Sequence, residues 1–217
     1  MKSTKDILTK LGACAEAVKW AGRKTPKKAW ETCKQSDWLL WIAGKLNIDR
    51  KKLVLAACAC ARTALKYIPA GEDRPRIAIE TAEAWTRGEA TIEQVRTATH
   101  AAHAAAHAAY TAHAAYVADA AAQAAYAAYA AHSAYAADAA TYAAYAAHAA
   151  TDADYAATYA AHAATDAAYA AHAATDADYA ATYADYAAAR KDIADIVRKI
   201  IPFSDIKEAI AGYEGKA

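Results

Sequence analysis

The chain has 217 residues, a net charge of +1, and only 7 Gly and 4 Pro. This length allows one or two domains with a sizeable core, whereas the scarcity of Gly excludes a Gly-rich phosphate-binding loop. No segment is apolar enough to predict a transmembrane helix, and residues 1–11 are too charged for a secretory signal. We therefore expect a cytoplasmic protein that does not enter a membrane.

The first 48 residues contain several helix signals. We expect a first helix from about Thr4 to Trp20, and a second that begins at Thr25 and Pro26. A third, apolar helix follows from Ser36 to Gly44. It carries two tryptophans three residues apart, Trp38 and Trp41, which share a face. Burial in the core is the simpler interpretation of this pair, and an aromatic platform for a ligand is the alternative.

Two further helices are predicted before residue 90. Asp49 or Asn47 begins a helix that we expect to span Arg50 to Tyr67 and to end at Pro69. Asp73 then caps a helix with Pro75 in its first turn, which runs to Gly88. These signals are local and independent of one another, and together they predict a basic helical module over residues 1–90.

An alanine-rich segment without Gly or Pro spans residues 91–201. Thr91 and Gln94 form a capping box at its start. Its larger side chains, mainly Tyr, His and Asp, recur every three or four residues and so share helix faces. We expect three or four antiparallel helices, with reversals near residues 132–133, 138–141 or 151–152, and a single long rod as the alternative.

The predicted fold is therefore all-α. It is a helical bundle in which N-terminal hairpins pack against closely packed antiparallel Ala-rich helices. A short C-terminal helix over residues 202–217 completes what we expect to be one compact unit. Pairing of the Ala and Tyr faces between two copies would also make a homo-oligomer possible.

Charge is distributed unevenly along the chain. Residues 1–96 hold 19 basic and 11 acidic side chains, whereas residues 97–189 hold 8 acidic and no basic ones. All eight His lie in the acidic segment. This asymmetry predicts that the two parts dock, or that the basic part meets an anionic ligand.

A cluster of basic side chains is predicted around one helical hairpin. Arg side chains make two-pronged contacts with phosphate or carboxylate, and neighbouring rings could stack on a base. The candidate ligand-binding residues are Arg62, Arg74, Arg76, Arg87, Arg96, Trp85, His103, His107 and Tyr110. The simpler alternative is that the arginines pair with Glu72, Glu80, Glu83 and Glu89 and with the acidic Ala-rich helices.

Metal binding and catalysis have little support in the sequence. His100, His103 and His107 share one helix face and are weak candidates for a zinc site. Burial or an interface is the simpler interpretation of these side chains. No motif places a nucleophile beside a base, so we expect neither an enzyme nor a cofactor. The four Cys lack zinc-site spacing and are predicted to be core residues.

One stretch resembles a known family. The core D-R-P-R-x-A-I-E-x-A-x-x-W-x-R-G-E, from Asp73 to Glu89, and its flanks are similar to an Ala-rich helical family common in phages and bacteria. Some of its members carry the label "putative immunity protein". The resemblance implies a role in biological conflict in a bacterial host cell, by binding and neutralising something. It supplies no catalytic residues.

These observations favour a non-enzymatic binding protein of phage–bacteria or toxin conflict. One version is an anti-defence sponge that sequesters a small anionic signal such as a nucleotide, and another is an immunity protein that blocks a protein toxin. The partner is thus a small anion or a protein, and we expect no specific nucleic acid. The remaining alternatives are a metal-dependent enzyme, which depends on the His triplet, and a structural or ice-binding helical protein.

Overall fold

A computed structural model describes residues 3–68, 70–118 and 179–215. The side chains of Tyr67 and of residues 106–118 and 179–189 lie outside this description. Within it the chain is all-α, as predicted, with no strand among the described residues. The predicted reversals at residues 132–133, 138–141 and 151–152 lie outside the described residues, as does the predicted packing of antiparallel Ala-rich helices.

Nine α-helices and one 3-10 turn make up the described part of the chain. In chain order they are α1 (Thr4–Lys10), α2 (Ala15–Ala21), α3 (Pro26–Thr32), α4 (Ser36–Lys45), α5 (Arg50–Arg62), the 3-10 turn (Leu65–Tyr67), α6 (Arg74–Arg87), α7 (Ile92–Ala118), α8 (Tyr179–Ile200) and α9 (Phe203–Glu214). Several helix starts agree with the sequence. The Thr25 hydroxyl accepts from the Lys28 N–H, and the Asp49 carboxylate accepts from two N–H groups of the first turn of α5.

The predicted first helix is wrong in one respect, because it is two helices. Gly12 takes a left-handed backbone conformation with φ 78°, which ends α1, and α2 begins after Cys14. The N–H groups of Gly12 and Ala13 donate to carbonyls of the last turn of α1, which completes its C-terminus. The chain therefore turns at Gly12 instead of continuing to Trp20.

Two predicted helix ends also shift. Helix α5 ends at Arg62 rather than Tyr67, and the Thr63 hydroxyl donates to the Cys60 carbonyl at 2.7 Å just beyond that end. Helix α4 runs through Gly44, and Asn47, with φ 56°, is the residue with left-handed backbone after it. Asn tolerates this conformation better than other non-Gly residues, so it can replace the expected glycine.

Helix α5 lies at the centre of the fold. Its residues Ala56, Ala57, Cys58, Cys60 and Ala61 are fully buried and cover an arc of about 200° around the helix axis. Helices α4, α6 and α8 pack against it. Because these side chains are small, neighbouring helices can approach α5 from several directions.

The cysteine prediction is right for three positions and wrong for one. Cys33, Cys58 and Cys60 are buried, and desolvation raises the pKa of Cys33 to about 11 and that of Cys60 to about 12. Desolvation also raises the pKa of Cys58. Cys14 is exposed, because it precedes the first turn of α2 at the break after Gly12.

The C-terminal helices join the same hydrophobic core as the N-terminal ones. Val197, Ile201 and Ile206 are buried together with Leu40 and Leu53. Polar contacts reinforce this packing. Arg190 pairs with Asp37 at 3.0 Å and Lys52 with Asp205 at 2.6 Å, and Arg198 donates to the Trp30 and Cys33 carbonyls at the end of α3. The division into residues 1–90, 91–201 and 202–217 stays a prediction.

Candidate functional site

The predicted arginine cluster surrounds helix α6. Arg62, at the end of α5, forms a two-pronged pair with Glu83 of α6, with nitrogen–oxygen distances of 2.7 and 2.6 Å. The carboxylate is the more buried partner, since 19% of the Glu83 side chain is exposed compared with 41% of Arg62. This pair links two helices and holds both in fixed orientation.

The arginines at the start of α6 pair with carboxylates on the same stretch of chain. Arg74 binds Glu72 through Nε at 2.7 Å and also through its terminal nitrogen. Arg76 lies between Asp73 at 3.0 Å and Glu80 at 2.9 Å. Both guanidinium groups are nearly half-exposed, so water screens these pairs and each contributes little to stability.

Arg87 and Arg96 lie at the opposite end of α6. Arg87 pairs with Glu89 in the loop at 2.7 Å, and Arg96 pairs with Glu93 one turn earlier on α7. The rise of an α-helix separates Arg76 from Arg87 by roughly 16 Å along the axis of α6. The five arginines therefore do not converge on a single site in the described part of the chain.

Neighbouring carboxylates shift the pKa values of these groups. Hydrogen bonds that the guanidinium groups donate to Glu83, Glu72, Glu80 and Glu93 raise the pKa of Arg62, Arg74, Arg76 and Arg96 respectively. The hydrogen bond from Arg74 lowers the pKa of Glu72 below its usual value. All four carboxylates that the sequence offered as structural partners fill that role, so the simpler alternative describes the arginines better than an open anion site.

The aromatic and His candidates are spread over the hairpin. Trp85 is half-buried against the core, and the Arg50 guanidinium lies over its ring at 5.1 Å from the centroid. His103 is exposed on α7. The side chains of His107 and Tyr110 lie outside the described residues.

The described residues do not assemble a metal site. No group of three His, Cys, Asp or Glu side chains within residues 3–68, 70–118 and 179–215 is placed to hold an ion. His100 and His103 are both exposed among the described residues, so burial in the core does not account for these two side chains. The third member of the predicted triplet is His107, whose side chain lies outside the described residues.

A shallow groove lies between helices α6 and α7. A short loop connects the two helices, which pack against each other along their length and so run antiparallel, and both contribute residues to the lining. The groove has a volume of about 690 Å³ and a floor of Ala84, Ala98 and Ala101. Glu80, Thr81, Glu93, Gln94 and Thr97 form its polar rim.

Ile77 lies at one end of this groove and was not among the residues predicted from the sequence. Its side chain is 44% exposed, and among the described residues it is the exposed large hydrophobic side chain. The buried positions of α6 are Pro75, Ala78, Ile79, Ala82 and Thr86, which recur every three or four residues. Ile77 lies off this stripe, so helical periodicity could have identified it.

Within the described ranges, none of the helices has the length and apolarity needed to cross a membrane. No curated protein and no solved structure matches the chain. A family described as "Imm-5 like putative immunity protein" matches residues 45–155, which is just over half of the 217 residues and includes α5, α6, α7 and the groove. The chain therefore belongs to this Imm-5 like family.

Proposed function

We propose that the chain is an immunity protein that binds a protein toxin and blocks it, without catalysing a reaction. Two observations support this proposal. The family to which the chain belongs is described as "Imm-5 like putative immunity protein". Within the family-matched residues, Ile77 exposes an apolar side chain at the end of the groove between α6 and α7.

The groove is suited to a protein partner. Its Ala floor leaves room for the side chains of an inserted helix or loop, and Ile77 offers apolar area at one end. Its rim supplies hydroxyl, amide and carboxylate groups that can hydrogen-bond at the edge of an interface.

Sequestration of a nucleotide or another small anion has weaker support. The arginines that suggested it are each engaged by a carboxylate, so an anion would have to compete with these carboxylates, which are Glu72, Asp73, Glu80, Glu83, Glu89 and Glu93. Calorimetry with a panel of linear and cyclic nucleotides distinguishes the two proposals. Binding of a nucleotide that is recovered intact after denaturation would favour sequestration over toxin blocking.

A growth-rescue selection tests the proposal. The chain is expressed together with toxin genes from the same genome, and the toxin whose lethality it suppresses is purified with it. We expect a stable complex of defined stoichiometry in light scattering. Failure to rescue growth against any such toxin would contradict the proposal.

Matched substitutions on one helix then locate the interface. Ala101 lies in the groove, whereas Ala104 is exposed on the same helix and outside it. We expect Ala101→Trp to fill the groove and abolish rescue, and Ala104→Trp to preserve it. Equal behaviour of the two variants would place the interface elsewhere on the chain.

A further inference from the structure

A second cavity, of about 400 Å³, lies among helices α1, α2, α3, α4 and α9. Its floor is buried and apolar, with Ile7, Trp30, Leu39 and Ile206 each less than 5% exposed. It shares no lining residue with the α6–α7 groove, and apart from Leu46 its lining lies outside residues 45–155. Its volume falls within the range of small-molecule sites.

Aromatic rings dominate the lining. Four of the five Trp in the chain line this cavity: Trp20, Trp30, Trp38 and Trp41. The Trp20 and Trp38 rings meet edge to face, with centroids 6.1 Å apart and an angle of 67° between their planes. Trp20, Trp38 and Trp41 are only half-buried, so apolar ring area remains available to an occupant.

Two lysines contact tryptophans of the lining without themselves lining the cavity. Lys24 lies over the Trp20 ring at 4.2 Å from its centroid and donates to the Trp20 carbonyl, and Lys45 lies over Trp41 at 5.9 Å. Residues 3–46 together hold nine basic and four acidic side chains. The acidic residue in the lining, Asp37, is paired with Arg190 at 3.0 Å, so its carboxylate does not oppose an anion.

We propose that this cavity binds a small apolar monoanion, an alkyl or aromatic carboxylate. Its hydrocarbon part lies against the tryptophans, where burial removes apolar area from water. Its carboxylate lies at the edge of the cavity beside Lys24, where charge complementarity favours an anion over a neutral or cationic head group. This binding is independent of the toxin contact proposed for α6 and α7.

Tryptophan fluorescence tests this inference with three probes that share a ten-carbon chain. We expect saturable one-to-one binding of decanoate to shift the emission, with decanol weaker and decyltrimethylammonium weakest. Octanoate, two methylenes shorter, should bind about tenfold more weakly than decanoate because less apolar surface is buried. Absence of a saturable change with decanoate, or equal affinity for the anionic and cationic probes, would overturn the proposal.

Two matched pairs of variants locate the site. Ala13 lines the cavity and Ala15 does not, so Ala13→Phe should weaken decanoate binding at least tenfold while Ala15→Phe leaves it unchanged. Lys24→Gln should weaken decanoate by about threefold without affecting decanol, and Lys27→Gln should affect neither probe. Equal affinities within both pairs would contradict the assignment.

Cys14 supplies a readout that does not depend on substitution. It is exposed and lies in the cavity lining, so bound decanoate should slow its reaction with Ellman's reagent. An unchanged reaction rate at saturating decanoate would place the bound probe outside this cavity and overturn the proposal.

Discussion

Each candidate arginine around α6 is paired with a neighbouring carboxylate. Arg62 differs from the others, because its partner Glu83 belongs to another helix and is largely buried. Arg87 and Glu89 lie two residues apart in an exposed turn, where the pair constrains little. An arginine therefore contributes more to the stability of the fold at position 62 than at position 87.

Removing the Arg62 guanidinium should destabilise the fold. Arg62→Met keeps most of the aliphatic stem but leaves Glu83 without its two-pronged partner, at a cost of about 0.5–1 kcal/mol in the free energy of unfolding. Arg87→Met should change that free energy by less than about 0.3 kcal/mol. Urea unfolding measures both, and equal losses would contradict the distinction between the two pairs.

The buried thiols should make the fold sensitive to alkaline pH. Burial raises the pKa of Cys60 from 9.0 to about 12, so above pH 9 the unfolded chain loses a proton that the folded chain keeps. Stability is fully present below pH 9 and falls above it, by about 1.4 kcal/mol per pH unit for this thiol.

Cys60→Ala should reduce the slope of the free energy of unfolding against pH by the same amount, measured by urea unfolding between pH 9 and 11. Cys14→Ala is the control, because Cys14 is exposed, and it should leave the slope unchanged. If Cys60→Ala had the same slope as the unsubstituted chain, Cys60 would not be buried as described.

At the scale of helices, start signals were more predictable than breaks. Thr25 and the Thr91–Gln94 box each act within one turn, through a side chain and the N–H groups beside it, and both are confirmed, as is Asp49 of the two candidates for α5. The predicted Asp73 cap is wrong, because its carboxylate pairs with Arg76 and accepts no hydrogen bond from an N–H group of the first turn of α6. Gly12 was missed because an isolated Gly within a helical pattern costs only about 1 kcal/mol and does not by itself indicate a break.

The candidate site was predictable only in part. Four of the six acidic partners of the arginines could be named in advance because they are close in sequence or on the next helix, whereas Asp73 and Glu93 were not named. The groove could not, since its shape depends on how α6 and α7 pack together. Ile77 is an intermediate case, because its position off the buried stripe of α6 is visible in the sequence once the boundaries of that helix are known.

The capping box that starts α7 should contribute measurably to stability. The Thr91 hydroxyl accepts from the Gln94 N–H at 3.2 Å, and the Gln94 side chain accepts from the Thr91 N–H at 2.7 Å. Thr91→Ala should therefore cost about 1 kcal/mol in thermal or urea unfolding. Thr97→Ala, inside the same helix, should be neutral or slightly stabilising because Ala favours helix. A larger loss at Thr97 than at Thr91 would be inconsistent with this cap.

At the scale of the whole molecule, one core joins helices that are far apart in sequence. Ile201 and Val197 from the C-terminal part are fully buried with Leu40 and Val54. The ends of the Ala-rich segment, at the start of α7 and the end of α8, thus return to the same core. The N-terminal helices should not reach full stability without the C-terminal ones.

Substitution of Ile201 tests this dependence. Ile201→Ala should lower the free energy of unfolding by about 2–4 kcal/mol, and Lys199→Ala, at an exposed position, by less than about 0.5 kcal/mol. All five Trp lie between residues 20 and 85, so their fluorescence reports on the N-terminal helices. If the urea midpoint of that signal did not move in Ile201→Ala, the C-terminal helices would be a separate folding unit.

The contact between the α6–α7 groove and a protein toxin is the central claim, and the affinity of that complex tests it most directly. Calorimetry compares Ile77→Arg with Ala211→Arg, which places the same charge at an exposed position on α9. A charge buried without a partner in an apolar contact costs about 2 kcal/mol or more, so Ile77→Arg should weaken the complex at least about thirtyfold. Ala211→Arg should leave the affinity unchanged. If both variants bound the toxin as tightly as the unsubstituted chain, this face would not be the binding surface.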